Sequence, residues 1–223
     1  MPERWQQRRF PRYPIQLPCL HRVTALPFNE RGAGWTRALS EGGASVELSA
    51  RLRPQTLLCL RLQTDRGAIE VEAQVAWVGG RPPAGGGIVH GLAFRQIAPD
   101  QLGMLRDLLL HLSLARHAGV RLPLDLPVTC RPRNSSGPRF DGRTGNANRG
   151  GLLLRLPRLL PPGTTLEVTL STANDPLTTE GTVVWVDPPE IWTPGKSIGH
   201  GFQFTAPRWT TLVSLGFLLA NPA

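Results

Sequence analysis

The chain has 223 residues, 40% hydrophobic and 18% charged, with 24 glycines and 22 prolines, which suits one large or two small domains and excludes a staple-dependent miniprotein or wholesale disorder. The formal charge is +9 and Lys196 is the one lysine among 25 basic residues, so the excess is arginine, a side chain suited to anionic partners, although genomic base composition produces the same bias. Cys19, Cys59 and Cys130 form no C-x-x-C pair, which points to reduced thiols rather than a disulfide framework or a zinc knuckle.

Residues 1–9 carry charge with no apolar run after them, so no secretion signal is expected and the chain reads as cytoplasmic. A first block, Arg12-Tyr13-Pro14-Ile15-Gln16-Leu17-Pro18, returns as Arg121-Leu122-Pro123-Leu124-Asp125-Leu126-Pro127 at an offset of 109. Gly42-Gly43 returns as Gly150-Gly151, and Leu58, Leu60 and Leu62 return as Leu166, Val168 and Leu170, at 108. Val75-Ala76-Trp77-Val78 matches Val183-Val184-Trp185-Val186 at 108, and His90 to Phe94 matches His200 to Phe204 at 110. Blocks in one order at nearly one spacing mark an internal duplication.

Within each copy the pattern is that of strands. Ile69, Val71, Ala73, Val75 and Trp77 share one parity and Glu70, Glu72 and Gln74 the other, which predicts a half-buried strand with Trp77, and by the repeat Trp185, facing the core. Turn-formers at 79–87 and 187–195 predict hairpins, the second longer by two residues. A helix is predicted from Pro99 to about Ala115 and another from Pro207 to about Ala220, with Leu102, Leu105, Leu109 and Leu112 on one face of the first. Both apolar stretches fall short of the roughly 20 residues needed to span a bilayer, so no transmembrane segment is expected. The reading is therefore two domains, 1–117 and 118–223, each a small antiparallel barrel or sandwich with a terminal helix.

Enzyme signatures fail on spacing. Pro194-Gly195-Lys196-Ser197 ends like a phosphate-binding loop, but Glu190 stands where the first glycine belongs and the segment falls in a hairpin. Gly32 to Arg37 lacks the last glycine of a dinucleotide fingerprint, and the five histidines show no metal-ligand spacing; His90 and His200 read as structural strand residues. No catalytic residue, metal or cofactor is therefore expected. What remains is an arginine arm, Arg8-Arg9-Phe10-Pro11-Arg12, followed by Ala38-Leu39-Ser40-Glu41-Gly42-Gly43. Arginine forks suit phosphates and the O6/N7 edge of guanine, and Ser40 beside a glycine turn offers small hydrogen-bonding groups.

In these residues the chain resembles the PilZ family of cyclic di-GMP receptors, in tandem. The resemblance rests on Arg8-x-x-x-Arg12, on Ala38-x-Ser40-x-x-Gly43 in place of the family's [D/N]-x-S-x-x-G, and on the Val75 to Val78 and Gly91 to Phe94 segments with a helix after them. It implies an all-β fold of two six-stranded antiparallel β-barrels, each followed by a C-terminal α-helix, and a non-enzymatic receptor. It also implies that Arg8 and Arg12 hold phosphates and guanine with Arg9 assisting, and that Ser40, Gly42 and Gly43 floor the site. Ala38 removes an acceptor for the guanine N1/N2 edge, a loss of about 1 to 3 kcal/mol. The second copy has His117 where Arg8 stands and Asn148 at the serine position, leaving Arg121, Asn146, Asn148 and Gly151 as a degenerate second site. The expected partners are cyclic di-GMP and a protein effector, with no nucleic-acid polymer: aromatic residues for stacking bases make up only 6% of the chain. The alternative is a ligand-free adaptor acting through protein contacts in motility, pilus or polysaccharide machinery.

Overall fold

The computed structural model describes residues 10–24, 30–80, 86–114, 120–133, 138–191 and 195–221. Its contacts divide the chain into two compact units, Met1–Ala118 and Gly119–Ala223.

In the first unit six antiparallel strands close a barrel in the order β1-β2-β3-β6-β5-β4. They are β1 (Pro18–Val23), β2 (Arg31–Ser40), β3 (Gly43–Leu48), β4 (Leu57–Thr64), β5 (Gly67–Val78) and β6 (Ile88–Gln96). Closure pairs every edge, which removes the exposed strand that an open sheet would carry. The inward residues are those alternation selects: Cys19, Ala44, Val46, Leu48, Leu58, Leu60, Leu62, Ile69, Val71, Ala73 and Val75; Trp35, the cross-strand partner of Glu47 on the other parity, is fully buried as well. Helix α1 (Pro99–Leu114) follows and buries Leu105 and Leu109; the side chain of Leu112, assigned to the same face by its spacing, lies outside the described residues.

The second unit repeats the plan. Strands β8 (Pro127–Pro132), β9 (Phe140–Asn148), β10 (Gly151–Leu156), β11 (Thr165–Leu170), β12 (Leu177–Val186) and β13 (Ile198–Phe204) run β10-β13-β12-β11-β8-β9, and β9 pairs with β10 to close the ring. The short β7 (Leu122–Pro123) lies along β9, just as Tyr13 bridges to Leu39 in the first copy. Helix α2 (Trp209–Ala220) buries Leu212, Leu215 and Leu219.

The duplication extends to polar interior bonds that no hydrophobic pattern announces. His90 Nε2 accepts the Leu52 amide at 3.1 Å while Nδ1 lies 2.9 Å from the Ile88 carbonyl. His200 does the same with Leu160 and Ile198 at the same distances. Each fully buried imidazole thus donates from Nδ1, accepts at Nε2 and ties a loop to the barrel, and burial pushes both pKa values down. The Thr36 hydroxyl likewise accepts the Leu17 amide and donates to Ile15, and Thr144 repeats this with Leu126 and Leu124.

Parity misplaces the two tryptophans. Trp77 is 43% exposed and Trp185 42%. The cause is a bulge in each strand: Val75 pairs with Leu92 but Trp77 with Gly91, and Val183 with Phe202 but Trp185 with Gly201. One extra residue reverses the alternation after the valine, so the indole turns to the outside of the barrel.

Candidate functional site

The arm reaches the first barrel at the β2–β3 turn. Tyr13 and Leu39 exchange backbone hydrogen bonds of 2.9 Å in both directions, which lays the chain of Arg12 alongside the strand that ends at Ser40. The Phe10 ring covers the turn: a β-carbon at Gly42 would lie 2.6 Å from its Cδ2. Arg12 is exposed beside this contact. Arg8 and Arg9 lie outside the described residues, as does His117.

The turn residues are committed to the fold more deeply than their motif suggests. Ser40 is 4% exposed and its hydroxyl donates to the Gly43 carbonyl at 3.0 Å. Gly43 is a glycine because the Leu92 carbonyl of β6 occupies the space of its missing β-carbon, and Gly151 meets the Phe202 carbonyl in the same way. The motif glycine is thus demanded by close strand approach in both barrels. Gly42 accepts the Phe94 amide at 3.1 Å, as Gly150 accepts that of Phe204 at 3.0 Å.

On the outer face the register sets one row across four strands: Ala38 opposite Ser45, Ser45 opposite Gly91, and Gly91 opposite Trp77. Ala38 therefore offers a methyl group where an acceptor would stand, and the indole of Trp77, placed over Gly91, borders the same row. The bulge that exposes Trp77 is the feature sequence alternation could not reveal. The side chain between Ser40 and Gly42 reaches the terminal helix, since Glu41 Oε2 accepts from Arg106 Nε of α1 at 2.8 Å.

The second barrel brings together Arg121 and Asn146, whose Oδ1 lies 3.3 Å from Arg121 Nη1. Asn148 turns inward on its own loop and accepts the Gly150 amide at 2.9 Å. The outer row here reads Asn146, Leu153, Gly201 and Trp185, so a leucine side chain covers what Ser45 leaves open. Arg149, at the position of Glu41, also reaches its helix, with its guanidinium 5.9 Å from the Trp209 ring centre. Turn and helix are joined in both copies by different chemistry, an ion pair in one and a cation–π contact in the other.

Among the described residues no group of three histidine, cysteine or carboxylate side chains is placed to hold a metal ion, and no helix is long and apolar enough to cross a membrane.

The PilZ domain family model matches the chain twice, over residues 6–111 and 115–215. No curated protein matches it. Similar solved structures include the PilZ domain of YcgR from Escherichia coli with c-di-GMP, at 17% identity and a TM-score of 0.41, covering 48% of this chain and 92% of that one. The Borreliella burgdorferi PlzA protein in complex with c-di-GMP is similar at 12% identity and a TM-score of 0.37, with 92% and 88% covered. The K. pneumonia MrkH–c-di-GMP complex is similar at 14% identity and a TM-score of 0.38, with 90% and 85% covered, and MrkH is described as a c-di-GMP-dependent transcription regulatory factor. Two family matches in the order of the internal repeat, spanning nearly the whole chain, make this protein a tandem member of the PilZ domain family.

Proposed function

We propose that the first barrel binds cyclic di-GMP between its arginine arm and its β2–β3 turn. Arg8 and Arg12 clamp phosphate and guanine, Arg9 assists, and the Ser40, Gly42 and Gly43 turn with the outer row beside it forms the floor. The observation that carries this reading is the seating of the arm: the Tyr13–Leu39 pair and the Phe10 ring over Gly42 bring Arg12 to the motif turn through bonds that belong to the fold itself. Preorganisation of this kind lowers the ordering cost of binding. The ligand orders the rest of the arm, and the signal leaves through Glu41 to Arg106 and α1, reorienting the two domains for a protein effector.

A second reading has its own observation. Ala38 places no acceptor in the outer row of the first barrel, and Leu153 covers the row of the second, which favours a ligand-free adaptor acting through protein contacts. Arg121 and Asn146 are the residues on which a second ligand site would depend.

Calorimetric titration of cyclic di-GMP into the full chain and into Arg8→Ala/Arg12→Ala separates these. Binding lost in the variant supports the receptor reading in the first copy. Binding retained transfers the site to Arg121 and Asn146. No binding to either chain at several temperatures supports the adaptor.

A further inference from the structure

The second barrel contains a pocket of about 560 Å³ that the PilZ motif does not include, lined by Asp141, Gly142, Arg143, Arg155, Pro157 and the loop Gly195-Lys196-Ser197. It lies at the end of the β9–β10 hairpin remote from the Asn148–Gly151 turn, roughly 15 Å away by strand rise.

Arg143 and Arg155 face each other as direct cross-strand partners on β9 and β10. Like charges so placed repel unless something neutralises them. Arg143 is held by Asp125, with Nε 2.7 Å from Oδ1 and Nη2 3.3 Å from the Asp125 carbonyl. Asp141 is engaged at the rim by the Thr129 hydroxyl at 2.9 Å. Arg155 and Lys196 have no ion-pair partner among the described residues, and both line the cavity. Gly195 turns the loop at φ 76°, which sets Lys196 and Ser197 at the pocket edge.

The internal duplication supplies a control. At the repeat offsets, Arg143, Arg155, Lys196 and Ser197 correspond to Trp35, Glu47, Gly86 and Gly87. In the first barrel Trp35 is fully buried and Glu47 Oε1 accepts the Gly87 amide at 3.1 Å, so this corner is closed by a ring and a carboxylate. The second copy has exchanged the ring for an arginine, reversed the carboxylate to a second arginine and added a lysine. The fold uses Arg143 through Asp125 but forms no ion pair with Arg155 or Lys196 among the described residues, whereas an anion in the pocket uses both.

We propose that this pocket is a second, independent anion site and that its ligand is a phosphate monoester of mononucleotide size. The Arg155 fork and the Lys196 ammonium match a terminal phosphate, with the Asp125-bound Arg143 beside them, Ser197 supplies a neutral donor, and the volume falls in the range of small-molecule sites and exceeds what an inorganic ion fills. The Gly195-Lys196-Ser197 segment thereby acts on phosphate without the strand-to-helix geometry of a nucleotide-hydrolysing loop.

The test titrates AMP and, separately, inorganic phosphate in chloride buffer into the full chain, Arg155→Gln, Lys196→Gln and Arg121→Ala. Arg155 and Lys196 are exposed, so their replacement leaves the barrel folded, and circular dichroism checks this. AMP binds the unaltered chain more tightly than phosphate does. Each pocket variant weakens AMP by about tenfold or more, and Arg121→Ala leaves it unchanged. No AMP binding at millimolar concentration, equal binding in the pocket variants, or loss in Arg121→Ala alone overturns the site. Phosphate binding as tightly as AMP overturns the ester assignment. Cyclic di-GMP titrations are read independently, so failure of one site leaves the other standing.

Discussion

The indole of Trp77 lies over Gly91, where its Nε1 fills the space a β-carbon would take, and Trp185 lies over Gly201 in the same manner. The bulge sets both pairs and so couples a strand irregularity to an exposed aromatic surface on each barrel.

Replacing Gly91 by alanine is expected to push Trp77 off the barrel wall. Tryptophan emission shifts to longer wavelength, and overpacking lowers stability by about 1 to 3 kcal/mol in denaturant melts. Gly201→Ala gives the same result in the second barrel. An unchanged spectrum and midpoint would refute the packing role of both glycines.

The motif glycines are separable by experiment. Gly43→Ala forces β6 away from β3 because it meets the Leu92 carbonyl, and it destabilises the first barrel by about 1 to 3 kcal/mol. Gly42→Ala meets only the Phe10 ring, so it displaces the arm while the barrel melts within about 0.5 kcal/mol of the unaltered protein. Urea melts of the two variants, run side by side, decide this.

Acid sensitivity follows from His21. It is 4% exposed, both ring nitrogens lack a hydrogen-bond partner among the described residues, and burial first, then the neighbouring His90, push its pKa down to about 4. A lowered histidine pKa means the unfolded chain binds the proton more readily. The stability contributed by neutral His21 is therefore complete above about pH 6.5 and is lost as pH falls from there toward about 4, by up to about 3 kcal/mol. His90 and His200 shift in the same direction and steepen the loss. In His21→Leu the stability curve flattens between pH 6.5 and 4; a slope identical to that of the unaltered protein would refute the assignment.

The thiols are inert in the folded protein. Cys19 and Cys130 are buried, and burial above all pushes the Cys130 thiol up to about 12; Cys59 is half-buried with its pKa also raised, chiefly by desolvation. A thiol reagent at pH 8 is expected to react at one site at most, slowly, at Cys59, and at three after denaturation. Rapid reaction of two or more thiols in the native state would contradict this packing.

Much of this molecule was legible in its chain. Leu58, Leu60 and Leu62 alternate as a barrel strand must, and the second copy repeats them, so one copy vouches for the other. Ser40 and Gly43 were legible as a motif but not as what they are locally, a buried hydroxyl and a close strand approach, because a motif records residue types and not the neighbours that occupy their space. The Trp77 and Trp185 placements failed for a definite reason: alternation carries orientation only until the first bulge, and a bulge leaves no mark in composition.

The sequence by itself determined the duplication, the barrel core and the arginine arm, since period-two burial and repeated spacing are properties of the chain read in order. Only the tertiary structure decided that Leu52 meets His90, that Glu41 meets Arg106, and that Arg143, Arg155 and Lys196 gather around one cavity. Those groups are 12 to 65 positions apart, and strand register and loop path, not local preference, set which of them come within reach of one another.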